Sequence, residues 1–445
     1  MSPLELSIGP HQGPTLIGIL RGLLGISFVL GVAYLCSSRR RSIPWKTVGL
    51  ALLFQALLAL GILKIRIIQS FFDLIGKVFT KILDFSEEGS RFLFGWLAGD
   101  TESFGYIFAF QILPTIVFFS ALTSIGYYFG IIQRVVGLLG RLLSRALGIS
   151  GAESLSIAGN IFLGQTEAPL LIKRYLPKMT RSEILLVMVG GMSTVAGGVL
   201  ASYILLLGGG NPEVEKEFAR HFVAASVMAA PAAILISKML IPSTEVHPDQ
   251  LEMDEIGAGS NLLDAISKGT TEGVKLAVNV GAMLMVFMAL IALMNGLLGW
   301  IGGGIGLNGW ISEHTGYPGL SLEFLLGNLF APVMWLIGVP AQDLSFMGQL
   351  LGIKLVASEF IAYGQLDTLK DAAQAPTLAY RKSVIMATYM LCGFANFASI
   401  GIQIGGIGVL APEKRVELSE LGLRAVLGGT LASLLSAVLT GMILG

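Results

Sequence analysis

Charge and histidine are what this chain has little of. Only 13% of its 445 residues are charged, Lys+Arg and Asp+Glu stand equal at 29 each, and there are four histidines. Balanced charge removes the electrostatic case for nucleic acid or an acidic partner, which needs a surplus of one sign. The histidines, His11, His221, His247 and His314, fall outside the centres of the apolar runs, and no Asp-rich metal motif or Ser/His pairing occurs. Enzyme chemistry therefore has no constellation to rest on. The two cysteines, Cys36 and Cys392, lie in apolar runs and form neither a disulfide framework nor a metal site. No basic cluster precedes the first apolar run, as a signal peptide would require, so that run reads as a retained span.

What is abundant is apolar surface. Hydrophobic residues make up 54% of the chain and mean hydropathy is +0.76, which describes an all-α polytopic membrane protein. Eight stretches are long enough to cross: 16–36, 48–63, 107–129, 184–207, 222–241, 276–301, 384–410 and 421–444. Arg39, Arg40, Arg41 and Lys46 follow the first span. The positive-inside rule makes that loop cytoplasmic and puts both termini outside. Residues 71–94 and 131–148 alternate apolar and charged positions and read as interfacial helices, the second on the cytoplasmic side. Residues 242–259, with Glu245, Asp249, Glu252, Asp254 and Glu255, read as a solvated loop, and 261–271 as a short polar helix.

Four places break the pattern. In 155–176 two apolar arms of about ten residues flank a polar centre, Gly164 to Pro169, that holds Gln165, Thr166 and Glu167. Arms that short cannot cross, so the segment reads as a re-entrant hairpin whose tip is buried in protein or lines a cavity. Residues 184–207 are interrupted at mid-span by four glycines with Ser193 and Thr194, which unwinds the helix and frees carbonyls for an ion, or else provides a small-residue packing face. Residues 320–363 repeat the first problem: Pro332, Gly338, Pro340, Gly348 and Gly352 interrupt an apolar run that ends at a second embedded carboxylate, Glu359. Residues 384–410 carry the fourth break, Gly393 to Gly401. A carboxylate inside a membrane is a functional hypothesis by default.

Hairpin with carboxylate, broken helix, plain helix: this order occurs at 152–241, starting from inside, and again at 320–444, starting from outside. Inverted repeats with paired interrupted helices point to a transporter with its site near the midplane. The chain divides accordingly into a scaffold part at 1–149, a first transport repeat at 150–241, a loop, interfacial helix and scaffold span at 242–319, and a second transport repeat at 320–445.

At these breaks the sequence resembles the concentrative nucleoside transporter family. The matching stretches are Gly164-Gln-Thr-Glu-Ala-Pro169, the Gly352-x-Lys354 run leading to Glu359-Phe-x-Ala-Tyr363, and Phe394-Ala-Asn-Phe-Ala-Ser-Ile-Gly401. Similarity extends to residues 84–95 and to the span after Leu276. The resemblance implies a homotrimer in a bacterial inner membrane that couples nucleoside uptake to a cation gradient, Na+ or H+, by alternating access. It implies that Gln165, Thr166 and Glu167 bond the base, that Glu359, Asn396 and Ser399 hold the ribose, and that Val199 and Phe394 line the pocket. It further implies Na+ bound by the side chains of Asn160 and Thr194 and the carbonyls of Leu163 and Val195. No cofactor beyond the coupling ion is implied. One departure stands out: Ser358 occupies a position where the family usually has Asn.

Overall fold

A computed structural model describes residues 15–99, 107–243, 260–371 and 376–445. The acidic positions expected in the solvated loop, Glu245 to Glu255, lie outside the described residues, as do His11 and His247. The architecture is helical throughout. The first elements are α1 (Leu16–Leu35), α2 (Trp45–Lys64), α3 (Arg66–Phe94), α4 (Leu113–Tyr128), α5 (Ile131–Leu147) and α6 (Gly151–Asn160). Next come α7 (Arg181–Ser193), α8 (Gly197–Gly208), α9 (Pro212–Leu240), α10 (Leu262–Gly304) and α11 (Leu307–His314). The chain ends with α12 (Leu322–Leu336), α13 (Leu344–Val356), α14 (Glu359–Leu369), α15 (Arg381–Leu391), α16 (Phe397–Leu410) and α17 (Arg415–Leu444).

Among the described residues, 7 helices are long and apolar enough to cross a membrane. The eighth expected crossing is present as two halves, α15 and α16, each too short alone. These spans differ in what covers them. The apolar windows of α7–α8, α9 and α17 are 89%, 94% and 89% buried, whereas those of α1 and α10 are 22% and 11% buried. High hydropathy with opposite exposure separates an inner group, drawn from both repeats, from an outer group whose apolar sides are left uncovered by the rest of the chain.

Hairpin 1 is α6 followed by an irregular tip and two 3-10 turns, Ala168–Ile172 and Leu176–Lys178. Its base is fixed by two capping boxes, in which Ser150 pairs with Glu153 at the start of α6 and Thr180 with Glu183 at the start of α7. Ser150 Oγ donates to Glu183 Oε1 at 3.1 Å and joins the two boxes. The Lys238 ammonium from the last turn of α9 pairs with the Glu153 carboxylate, and both are buried. Glu153 is thus a third embedded carboxylate, but one occupied by helix capping and an ion pair.

Three expectations are corrected. Residues 261–271 and 276–301 form one helix, α10, of 43 residues, because nothing between them breaks the ladder and Gly269 and Gly273 lie against Ala121 and Val117 of α4. Pro332, Gly348 and Gly352 interrupt no helix. Pro332 sits within α12, and a side chain at Gly348 would place its Cβ 2.4 Å from the Gly327 carbonyl oxygen. Those glycines let α12 and α13 pack backbone to backbone. The chain reverses at Gly338, with φ +94°, and hairpin 2 proper is α13, a tip at Ala357 and Ser358, and α14. The last span starts at Arg415 rather than residue 421. The amphipathic helices are as expected in kind: α3 buries Phe72, Gly76, Leu83, Ser86 and Ser90, while Lys81, Asp84, Glu87 and Arg91 pair on its exposed side.

Lys238→Ala strands the Glu153 carboxylate in the interior, and breaking a buried pair in this way costs about 3–5 kcal/mol. The expected outcome is a clearly lower melting midpoint of the purified protein, with much of it recovered in the Glu153→Gln, Lys238→Met double variant.

Candidate functional site

The four interrupted elements converge on one another. The two helix breaks touch at Gly393, whose φ is +106° and where a Cβ would lie 2.6 Å from the Ser193 carbonyl carbon. No side chain fits there. The hairpin 1 tip is tied to the first break by a hydrogen bond of 3.0 Å from Gly197 N to the Phe162 carbonyl, and to α9 by one of 2.9 Å from Ser226 Oγ to the Ile161 carbonyl. Hairpin 2 brings Glu359 in at the first turn of α14, where Ser358 is the N-cap and its Oγ accepts from Ile361 N at 3.3 Å. Asn and Ser are both strong N-caps, so Ser358 keeps this helix start despite the departure from the usual Asn.

A chain of polar contacts links these tips. Gln165 Nε2 donates to Ser399 Oγ at 3.2 Å. Ser399 N donates to Asn396 Oδ1 at 2.9 Å, the N-cap bond of α16. Asn396 Nδ2 donates to Glu359 Oε2 at 2.9 Å, and Tyr203 OH donates to Glu359 Oε1 at 2.9 Å. The path runs from hairpin 1 through the second broken helix to hairpin 2 and ends on α8 of the first. Gln165, Ser399, Asn396 and Glu359 are all buried. The two bonds that end on the Glu359 carboxylate are of the charge-assisted kind, the strong ones in a dry interior.

The remaining expected residues are placed as follows. Val199 is buried in the first turn of α8, and Phe394 is half-buried in the second break. Thr166 turns its methyl towards α16, where a Cβ on Gly406 would lie 2.7 Å from Thr166 Cγ2. Glu167 is half-buried and folds back on its own tip, accepting from Gly164 N at 3.2 Å. Those two are therefore in the tip but outside the hydrogen-bonded path.

Behind the path lies a second polar feature. Asn160, the last residue of α6, is 1% exposed, yet neither amide atom has a partner. It lies against the carbonyl end of α7, where a Cβ on Gly190 would be 3.1 Å from Asn160 Nδ2. Thr194 Oγ1 donates to the Gly190 carbonyl at 2.9 Å. Leu163 and Val195, whose carbonyls complete the expected set, are both buried in the adjoining tip and break. Buried polar atoms without a protein partner are ordinarily met by water or an ion. An amide, a hydroxyl and carbonyls are the oxygen donors a hard monovalent cation takes, and among the described residues no cluster of three His, Cys, Asp or Glu could hold a different metal.

Two residues of this region are new. Tyr203 is an aromatic in an apolar run, which marks core, but it follows Val199 by one helical turn and so shares its face. Gln403, whose Nε2 donates to the Met188 carbonyl at 2.9 Å, follows Asn396 and Ser399 on one face of α16 and could have been read from that spacing.

Comparison with known proteins adds the following. Residues 24–97 match the family described as Na+ dependent nucleoside transporter N-terminus, residues 109–210 the one described as Nucleoside recognition, and residues 221–441 the one described as Na+ dependent nucleoside transporter C-terminus. An uncharacterized transporter of Haemophilus influenzae is 40% identical over 96% of this chain and 99% of its own length. The sodium/nucleoside cotransporter 1 of Rattus norvegicus is 37% identical over 99% of this chain and 66% of its own. The structure of CNTnw in an inward-facing substrate-bound state superposes with a TM-score of 0.86 at 36% identity, covering 96% of this chain and 98% of that one. A doubly substituted CNTnw in an outward-facing state gives 0.88 at 37%, covering 97% and 100%.

Tyr203→Phe and Asn396→Ala each remove one hydrogen bond to the same buried carboxylate. Each is expected to cost about 1.5–3 kcal/mol in denaturation of the purified protein. Because the two share Glu359, the double variant departs from additivity; additive losses would show that the carboxylate does not couple them.

Proposed function

Because this chain belongs to the concentrative nucleoside transporter family, we propose that it imports nucleosides by Na+ symport, using the Gln165 to Tyr203 path as its substrate site. The matched families are transporters, not enzymes, and the chain is a multi-pass membrane protein. The observation that carries the finer reading is the hydrogen-bonded path joining both hairpins to both broken helices, with the unpartnered Asn160 amide directly behind it.

A nucleoside is neutral and rich in donors and acceptors, so its site needs amides and carboxylates rather than an opposite charge. Glu359 and Asn396 offer acceptor and donor to the ribose hydroxyls, with Ser399 beside them. Gln165, whose Oε1 is buried without a partner, has an acceptor left for the base, and Thr166 and Glu167 lie in the same tip. Val199 and Phe394 supply apolar walls. The cation is a co-substrate held by Asn160 and Thr194 and by the carbonyls of Leu163 and Val195. Because that site joins the hairpin 1 tip to the first helix break, filling it orders the tip that receives the base, and this is the coupling.

Alternating access follows from the division of surface. The two repeats, 150–241 and 320–445, form a unit that moves like an elevator against α1 to α4 and α10. The exposed apolar side of α10 and its neighbours meets lipid and the other subunits of a homotrimer in the bacterial inner membrane, with both termini outside. Moving one Na+ through roughly 150 mV gives about 3.5 kcal/mol, and a tenfold concentration ratio adds about 1.4 kcal/mol. Together they support accumulation of a few thousandfold. Proton coupling is the second reading, since embedded carboxylates are the groups that relay protons in transporters.

Glu167→Gln and Glu359→Gln are each expected to bring concentrative uridine or adenosine uptake to background in cells or liposomes, as every charge-assisted bond lost costs about 10- to 100-fold. Full uptake by both variants would sink the assignment. Replacing Na+ by choline at fixed pH is expected to stop uptake; undiminished uptake would select the proton reading.

A further inference from the structure

Lys354 sits on the last turn of α13, just ahead of the hairpin 2 tip, and is fully buried at 0% exposure. Its ammonium donates to the Met390 carbonyl at 2.9 Å, to Ser433 Oγ at 3.3 Å and, at 3.5 Å, towards the Cys392 carbonyl. Among the described residues no carboxylate forms an ion pair with it. A buried charge needs compensation. The Glu359 carboxylate acts on it across the hairpin 2 tip without touching it, and the groups in direct contact are at the carbonyl end of α15, the negative pole of a half-helix, which finishes at Leu391 as the second break begins.

The first repeat has a related arrangement, which differs in the side chain delivered and in the carbonyl that the closing helix's hydroxyl meets. There, the last turn of α6 brings a side chain, Asn160, to the carbonyl end of α7 where the first break begins, and a hydroxyl from the closing helix, Ser226 of α9, bonds to the hairpin backbone. In the second repeat Ser433 of α17 is the hydroxyl, donating to the Cys392 carbonyl at 2.9 Å. Both repeats thus set a hairpin against the exposed carbonyls of an unwound half-helix. In the first, the delivered side chain is neutral and its amide is left without a partner. In the second, the delivered side chain carries its own positive charge, and the carbonyls it meets are satisfied.

We propose that the Lys354 ammonium is a tethered cation occupying the second repeat's counterpart of the Asn160 cation site. Hairpin 2 is then permanently loaded, cation coupling is confined to hairpin 1, and each chain moves one cation per cycle. This rests on the reading of Asn160 as a cation ligand. It follows that removing the lysine opens a site for a small monovalent cation where the wild type has none.

The test uses the full-length purified protein and reads thermal unfolding in choline, Na+ and methylammonium, for wild type, Lys354→Ala and Lys354→Met, the last keeping most of the packing. In choline both variants are expected to melt several degrees below wild type. Methylammonium is expected to raise the midpoint of Lys354→Ala with one-site saturation, as a ligand of the folded state does, and to leave wild type unmoved. Na+ activation of uridine uptake by Lys354→Ala changes from one-site to two-site. Variants that melt like wild type in choline, or that melt low and gain no more from methylammonium or Na+ than wild type does, overturn the proposal. A wild type indifferent to Na+ would instead remove the reading of Asn160, and the methylammonium result on Lys354→Ala would stand apart from it.

Discussion

A carboxylate among apolar helices is tolerable only where donors surround it, and Glu359 has two side-chain donors, Tyr203 from the first broken helix and Asn396 from the second. Since each repeat contributes one donor, neither repeat satisfies the group alone. The rest of the centre depends on this. Asn396 also caps α16 through Ser399 N, and Ser399 Oγ receives Gln165 from hairpin 1. One buried carboxylate therefore holds in register four elements that by helix propensity would each be a defect. Close approach makes the arrangement possible: Gly393 lets the two breaks meet, backbone against backbone.

The inverted order explains why the defects come in pairs. A half-helix that stops inside a membrane leaves carbonyls or N–H groups without partners, and each hairpin supplies groups to its own repeat's carbonyl end. The two repeats meet that demand differently, with a lysine in one and, in the other, an amide whose atoms have no protein partner.

Much of this was legible in the sequence where a physical cost had no cheap alternative. Glu167 and Glu359 stood out because embedded charge is expensive, and the arm lengths around Glu167 could only fit a hairpin. The breaks at Ser193 to Ala196 and at Cys392 to Asn396 were legible because small and polar residues gathered at mid-span. What stayed hidden were cases in which one composition serves two structures. Gly348 and Gly352 look like helix breakers and are a helix contact, because a glycine's preference yields to tertiary packing. Lys354 and Glu153 are embedded charges as well, and their partners, the carbonyl end of α15 and Lys238, lie far off in the sequence. Tyr203 reads as core until its partner, more than one hundred and fifty positions away, is brought beside it.

The central claim is that cation and nucleoside share one hairpin tip, so that each stabilises the site of the other. Coupling of this kind is reciprocal. Calorimetric titration of the purified protein measures it directly, with uridine titrated at graded Na+ and Na+ titrated with and without saturating uridine. The account predicts that Na+ tightens uridine binding, that uridine tightens Na+ binding by the same factor, and that Asn160→Ala removes both effects while leaving uridine binding in choline unchanged. Equal uridine affinity in Na+ and choline at fixed pH would contradict it.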